Sequence, residues 1–168
     1  MNSRNDDQLR GEEVDVKTLE SSCGSKLYDG ELILNPCGSI ANSFFNDVFT
    51  VSNFELNEHD ISWKYDREKY KNPSQYDETK YKYLYQTYEG IIPKEASDDP
   101  KSASFYGGGV ENEHFIVWMR AAALPRFRKL YGRIEEDIPA GSTVEIEVES
   151  SLFFMCFVIN RLLCSLQW

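Results

Sequence analysis

A chain of 168 residues is long enough to form one domain with its own hydrophobic core. Its net charge of −10 argues against nucleic-acid binding and against docking on an anionic membrane through a basic patch, because both need clustered lysine and arginine. Ten tyrosines, ten phenylalanines and three tryptophans, together with recurring glycine and proline turn signals, favour a sheet-rich domain.

The first third of the chain contains one predicted helix. Residues 1–22 are polar and acidic, which is typical of surface coil or a frayed segment. Residues 32–34 form a short apolar run that the turn signal Asn35-Pro36 terminates. Large apolar side chains then recur at helical spacing, at Ile40, Phe44, Phe45 and Val48. This spacing predicts a short helix between residues 37 and 49.

The middle of the chain is rich in tyrosine. Residues 61–65 alternate in period two and predict a strand with one buried face. Residues 65–88 carry seven tyrosines interleaved with lysines and acids. Such interleaving can mean stacking on single-stranded nucleic acid, but the neighbouring carboxylates cancel the positive field. We therefore favour a long surface excursion whose tyrosines pack edge-on over the sheet.

Residues 115–119 are the strongest apolar run of the middle of the chain, and they predict a strand buried on both faces. Trp118 is expected in the core, because large aromatic residues in apolar runs usually lie there. Leu124 precedes Pro125, so a helix is not expected to continue through this point. Large side chains then recur at helical spacing, at 127, 130, 131 and 134, whereas Pro125 and Gly132 make a bent strand equally compatible. We lean towards the strand.

The end of the chain changes character abruptly. Val144, Ile146 and Val148 alternate with glutamates and predict a strand with one buried face. Residues 152–159 are continuously apolar, yet the apolar segment is shorter than the roughly 20 residues that cross a bilayer.

The four cysteines leave two alternatives open. Cys23 and Cys37 enclose a short loop with two glycines and a proline, so they either form a disulfide in an oxidising compartment or remain free thiols. Zinc binding is disfavoured because the chain lacks both closely spaced cysteine pairs and a histidine pair. We assign no role to Cys156 and Cys164.

The sequence contains no convincing catalytic motif. His59 and His114 each lie beside acids, but no serine or cysteine in a nucleophile elbow accompanies them. Carboxylates could still pair in space as an acid and a base, because such pairing does not depend on sequence distance. We expect a protein that is not an enzyme and that needs no cofactor or metal.

Four stretches, taken in order, point to a known family. Residues 3–11 read SRNDDQLRG, residues 35–47 read NPCGSIANSFFND, and residues 61–63 read ISW. Residues 115–125 read FIVWMRAAALP and are followed by FRKLY at 127–131. These words resemble the conserved blocks of the cell-division-control-50 or ligand-effect-modulator family. The resemblance covers roughly residues 3–148.

The resemblance implies a non-catalytic β-subunit of the type IV P-type ATPases, which are phospholipid flippases. Family members carry a mainly β, antiparallel β-sandwich-like exoplasmic domain with short helices and long loops, held between two transmembrane helices. This domain packs on the ATPase α-subunit and assists its folding, its exit from the endoplasmic reticulum and lipid transport. The expected location is therefore the lumenal or extracellular side of endoplasmic reticulum, Golgi and plasma membranes.

The resemblance also assigns roles to individual residues. It implies a disulfide between Cys23 and Cys37, because the family pairs the cysteine of its Pro-Cys-Gly block with one shortly upstream. If the subunit role holds, three basic residues in and beside the signature block at 115–131 become a candidate partner interface, namely Arg120, Arg126 and Arg128. Catalytic, cofactor and metal residues are not expected.

Two segments are expected on the same grounds. Residues 1–149 correspond to a partial exoplasmic domain, and residues 150–168 form a divergent apolar tail that resembles neither the continuing domain nor the second membrane helix. The expectation is a truncated family member whose membrane helices belong to the full-length protein. The alternatives are a stand-alone acidic β-rich binding module and a non-functional fragment.

Overall fold

Short helices and short strands alternate along the chain in the computed structural model, which describes residues 4–99, 107–122 and 126–149. The α-helices are α1 (Asp6–Leu9), α2 (Val16–Cys23), α3 (Lys64–Lys69), α4 (Leu84–Thr87) and α5 (Glu113–Met119). The strands are β1 (Tyr28–Asp29), β2 (Leu32–Asn35), β3 (Val48–Val51), β4 (Leu56–Asn57), β5 (Tyr81–Tyr83), β6 (Arg133–Ile134) and β7 (Ile146–Glu149). None of the described helices has the length and apolarity that a membrane crossing requires.

The N-terminal segment is structured, so the expectation of surface coil is wrong for its described residues. The Asn5 side chain accepts a hydrogen bond from the backbone N–H of Gln8 at 2.9 Å and caps α1. Asp15 caps α2 in the same way through the N–H of Thr18 at 3.1 Å. A side-chain oxygen at this position satisfies a helix N–H that otherwise has no partner, which offsets the shortness of both helices.

A three-stranded sheet in the order β1-β2-β5 forms the first half of the fold. β1 pairs antiparallel with β2, whereas β2 pairs parallel with β5, with Ile33 opposite Tyr81. Gln8 joins α1 to this sheet because its side chain donates to the carbonyl of Leu34 and accepts from the N–H of Cys37. The disulfide that the resemblance implies is present between Cys23 and Cys37, at the end of α2 and just after β2.

Two antiparallel ribbons complete the described strands. β3 pairs with β7, and β4 pairs with β6. The fold therefore contains small sheets, short helices and long loops, as expected, but the described residues do not confirm the predicted β-sandwich.

Helix α5 replaces the strand predicted for residues 115–119. The Asn112 side chain accepts from the N–H groups of His114 and Phe115 and starts the helix. Phe115, Ile116 and Met119 are buried, whereas the remaining apolar side chains of the run are partly exposed. A five-residue apolar run does not distinguish a strand from a helix, and here the asparagine cap and the helical spacing of the buried residues explain the outcome.

Three further predictions need correction. Residues 61–63 are not in a strand, and Lys64 begins α3 instead. In place of the helix predicted between residues 37 and 49, the structure has only a short 3-10 helix at Ala41–Ser43. The β-branched residues that follow form part of β3. After the proline, the favoured strand is limited to the two residues of β6.

The terminal strand prediction is confirmed in part. β7 covers Ile146–Glu149, but Val144 lies before it and Ile146 is exposed. Val148 is partly buried opposite Phe49 of β3.

Two hydrophobic clusters form the core. The first surrounds α5 and consists of Leu9, Ala41, Phe44, Tyr70, Leu84, Ile92, Val110, Phe115, Ile116 and Met119. The second surrounds the disulfide and consists of Leu19, Cys23, Leu27, Ile33, Leu34, Cys37, Tyr81 and Tyr83.

The tyrosine-rich segment contributes to both clusters, so it is not the surface excursion that its composition predicts. Tyr70 is buried beside α5, while Tyr81 and Tyr83 are buried in the sheet. The edge-on packing is observed, because Tyr76 contacts Tyr83 with ring centroids 4.8 Å apart and planes 80° from parallel. These aromatic side chains add large buried apolar surfaces to a core that is otherwise mostly aliphatic.

Phe115→Ala should destabilise the fold by about 3–5 kcal/mol, because this fully buried ring is at the centre of the first cluster. Phe127→Ala is the matched control, since that ring is 45% exposed. Urea denaturation followed by circular dichroism measures both. Equal losses for the two variants would contradict the placement of Phe115.

Replacing both cysteines of the bridge by alanine should lower the free energy of unfolding by about 3 kcal/mol in the chain-entropy model for a loop of this size. The measurement is urea denaturation of both proteins with and without reductant. Reductant should destabilise only the wild type, and a wild type insensitive to complete reduction would contradict the prediction.

Candidate functional site

A concave groove of about 550 Å³ lies beside α5. Its walls come from three parts of the chain, which are residues 60–66, residues 116–122 at the end of α5 and just after it, and residues 126–133. Ile61 and Ile116 are buried beneath it, whereas Trp63, Phe127 and Leu130 are exposed along its lining. The groove therefore combines an apolar base with accessible rings, a composition that binding clefts commonly have.

Basic side chains gather in this groove although the chain as a whole is acidic. The structure brings together the three arginines that the sequence singled out, and adds two cations that the sequence analysis missed; the lining cations are Arg120, Arg126, Arg128, Lys129 and Arg133. Among residues 4–99, 107–122 and 126–149, no carboxylate forms an ion pair with any of these five. The two acids of the lining, Asp60 and Asp66, pair instead with Arg67 and Lys69.

Trp63 and Arg120 form the best-defined contact of the groove. The guanidinium carbon of Arg120 lies 3.7 Å from the centroid of the Trp63 ring. Trp63 is 64% exposed, and it immediately precedes α3, while Arg120 immediately follows α5. Stacking on the ring holds the guanidinium in one orientation while leaving its N–H groups available to a ligand.

Glu113 sets the position of Trp63 from beneath. Its buried carboxylate accepts hydrogen bonds from the backbone N–H of Asp60 at 3.1 Å and of Ser62 at 2.9 Å. It also accepts from the Ser62 hydroxyl at 2.6 Å and from Arg67 at 3.2 Å. One side chain of α5 therefore satisfies the backbone of the turn that leads into Trp63.

The structure brings His59 close to two carboxylates, an arrangement that could suggest a metal site. His59 Nδ1 lies 3.4 Å from Glu113 and His59 Nε2 lies 3.9 Å from Asp60, and the three residues offer ligand atoms within 4.8 Å of one another. However, Arg67 already pairs with both carboxylates, and its hydrogen bond holds the pKa of Asp60 below its usual value. A cation would have to displace a guanidinium, so these residues do not fit a metal.

The same cluster does not have the geometry of a nucleophile activated by a base. Ser62 donates its hydroxyl to Glu113, whereas a catalytic serine donates to an imidazole. The other histidine, His114, pairs through Nε2 with Glu58 at 2.7 Å and packs against the Tyr131 ring. Both histidines thus join α5 to the segment around β4.

Lys129 is a partly buried lining residue of the groove. Its Nζ donates to the backbone carbonyl of Trp118 and lies 4.7 Å from that residue's ring. Burial lowers the pKa of Lys129 to about 8. Trp118 itself is partly buried against the first core cluster, and its Nε1 donates to the carbonyl of Ile40 at 2.8 Å. The expected core role of Trp118 is therefore met in part.

Comparison with known proteins identifies the family. The model of the LEM3 (ligand-effect modulator 3) family / CDC50 family matches residues 1–158. The chain belongs to this family. The ALA-interacting subunit 3 of Arabidopsis thaliana is 35% identical over 157 residues, which cover 89% of this chain and 40% of that protein. Two mammalian relatives are equally similar: cell cycle control protein 50C of Macaca fascicularis is 35% identical (83% of this chain, 44% of that protein) and cell cycle control protein 50A of Rattus norvegicus is 36% identical (83% and 48%).

The chain thus spans less than half the length of these relatives. The family resemblance of the signature blocks is confirmed. The family match reaches residue 158, whereas residues 150–168, including Cys156 and Cys164, lie outside the described residues. The role of Arg120, Arg126 and Arg128 remains a prediction.

Glu113→Ala should destabilise the fold by about 3–5 kcal/mol, because it leaves the Ser62 and Asp60 donors and the Arg67 charge without their buried acceptor. Asp60→Asn, at the exposed end of the same network, should cost less than about 1 kcal/mol. Chemical denaturation of both variants tests the difference. Similar losses of stability in the two variants would show that Glu113 is not the central residue of this hydrogen-bond network.

Lys129→Met should change how stability depends on pH. The folded Lys129 loses its proton near pH 8, whereas an ordinary lysine does so near 10.5, so the unfolded chain binds more protons between these values. The wild type should therefore gain free energy of unfolding relative to the variant as the pH rises from roughly 7 to 9.5. Lys64→Met, at the exposed start of α3, controls for the change of side chain. A difference independent of pH would contradict the prediction.

Proposed function

We propose that this chain is part of the non-catalytic accessory subunit of a phospholipid-translocating type IV P-type ATPase. In this role it assists the folding of the pump, its exit from the endoplasmic reticulum and its transport of lipid. The observation that carries the proposal is the match of the family model to residues 1–158. Relatives of the chain include a protein named ALA-interacting subunit 3, a name that states an interaction with a partner.

The proposed location is the lumenal or extracellular side of endoplasmic reticulum, Golgi and plasma membranes. The Cys23–Cys37 disulfide supports it, because disulfides persist mainly in oxidising compartments. In the full-length protein, transmembrane helices on either side of the domain would hold it at the membrane.

A scaffolding role agrees with the contacts of the polar side chains beside the groove, which bind one another. Glu113, Ser62 and Arg67 are joined to one another across the seam between α5 and the turn before α3. Such a network stabilises a surface, and it leaves ATP hydrolysis and lipid transfer to the α-subunit. The surface that we propose to face this subunit is the groove, including Arg120, Arg126 and Arg128.

The test is a domain exchange in which residues 4–149 replace the matching residues of a full-length relative. The chimera is coexpressed with a tagged type IV P-type ATPase, and its recovery with the purified pump is compared with that of the unmodified relative. We expect comparable recovery. The control is the same relative with the exchanged region deleted.

A chimera that reaches the membrane with its disulfide formed, but is recovered no better than the deletion, would contradict the proposal. Disulfide formation is read from the mobility of the protein without reductant, so misfolding and loss of the partner contact are distinguished.

A further inference from the structure

We propose that the basic groove binds an acidic loop of the partner in which carboxylates flank a large apolar side chain. This inference rests on the proposed function, because it names the kind of partner segment that the groove receives. It assigns to Trp63, Lys129 and Arg133 a binding role that their positions in the sequence did not suggest.

The first argument is the distribution of charge. Most lysines and arginines elsewhere among the described residues pair with a carboxylate, as in Arg10–Asp7, Lys82–Asp29 and Lys94–Glu78. The exceptions outside the groove are Lys17, Lys26, Lys64 and Lys71. The five cations of the groove have none among the described residues. On a chain with a net charge of −10, this leaves a local positive field that is complementary to carboxylates.

The second argument is the orientation of the charged groups. Arg120 is stacked on Trp63, and Arg133 donates to the backbone carbonyl of Asp60 at 3.1 Å. Both guanidinium groups are therefore held at the groove before a ligand arrives. A planar guanidinium can donate two parallel hydrogen bonds to one carboxylate. Because both groups are already held in place, less side-chain conformational entropy is lost when the ligand binds.

The third argument concerns the apolar part of the ligand. Ile61 and Ile116 lie at the base of the groove, and the exposed Phe127 and Leu130 rise beside them. The volume of about 550 Å³ falls within the roughly 300–1,000 Å³ range of ligand clefts. An acidic segment without an apolar anchor would leave this surface in water, so the ligand needs both features.

A peptide loop fits these features better than a lipid surface does. The basic and aromatic side chains line a concavity, whereas a membrane presents a broad surface that reaches convex protein regions first. A broad anionic membrane would also meet the field of the whole chain, whose net charge is −10, whereas a loop inside the groove meets mainly the nearby cations. We therefore commit to a protein segment as the occupant.

The experiment measures binding to the full 168-residue chain by fluorescence anisotropy. The probe is a fluorescein-labelled peptide in which glutamates flank a Leu-Phe pair. Two comparison peptides replace the glutamates by glutamines or the Leu-Phe pair by serines. Vesicles of phosphatidylserine and phosphatidylcholine, tested by co-sedimentation, form a separate arm.

The decisive variant combines Arg120→Gln, Arg126→Gln and Arg128→Gln, which are all exposed. Its matched control combines Lys17→Gln, Lys26→Gln and Lys71→Gln, which remove the same charge from exposed positions outside the groove. We expect the groove variant to bind the acidic peptide about tenfold more weakly or worse, a difference equivalent to about 1.4 kcal/mol. The control should bind like the wild type, and both comparison peptides should bind more weakly than the probe.

Three outcomes would overturn the inference: no binding of the acidic peptide, an equal loss in the groove and control variants, or binding to the vesicles without binding to the peptide. Thermal melting of each variant verifies that it is folded. If the domain-exchange chimera is recovered with the pump and the three groove substitutions do not reduce its recovery, the proposed function stands and this inference fails.

Discussion

The buried carboxylate of Glu113 is the interaction on which the candidate site depends. It connects α5 to the turn at residues 60–62 through backbone and side-chain donors, and it shares Arg67 with Asp60. These contacts join two of the three walls of the groove, namely α5 and residues 60–66. A buried charge is costly unless it is fully paired, so the network has one well-satisfied arrangement.

Local sequence patterns predicted secondary structure well where an element pairs with one neighbouring strand. They predicted it poorly where packing against several distant residues decides between helix and strand. The alternation at Ile146 and Val148 led to a real strand because β3 lies beside it. The apolar run at 115–119 became a helix because Asn112 caps it and the tertiary environment covers only one of its faces. Such coverage comes from residues far away in the chain, so neither periodicity nor propensity could supply it.

The candidate site was predictable in part. The arginines at 120, 126 and 128 were predicted as a candidate interface because they lie in or beside a family block, and all three line one groove. Arg133 and Lys129 were not predicted to belong to the site. Arg133 reaches it through the pairing of β4 with β6, and Lys129 through its contact with the Trp118 carbonyl, and both are tertiary contacts that the sequence does not reveal. In the sequence, Trp63 was noted only as part of the short stretch ISW that resembles the family. Its stacking on Arg120 depends on the meeting of two loops that are far apart in the chain. The clustering of unpaired cations on an acidic chain becomes apparent only once the fold is known.

The parallel pairing of β2 with β5 has a consequence for the order of events during synthesis. Closing the Cys23–Cys37 bridge requires only the first 37 residues, whereas the third strand of that sheet arrives after β3, β4 and α3 have been made. An emerging chain can therefore be covalently locked before its sheet is complete. From then on, the edge of β2 that faces away from β1 has no partner, and it is open to the wrong strand until Tyr81 and Tyr83 reach it. The fold is therefore most exposed to mispairing at this edge while residues 38–80 are being made.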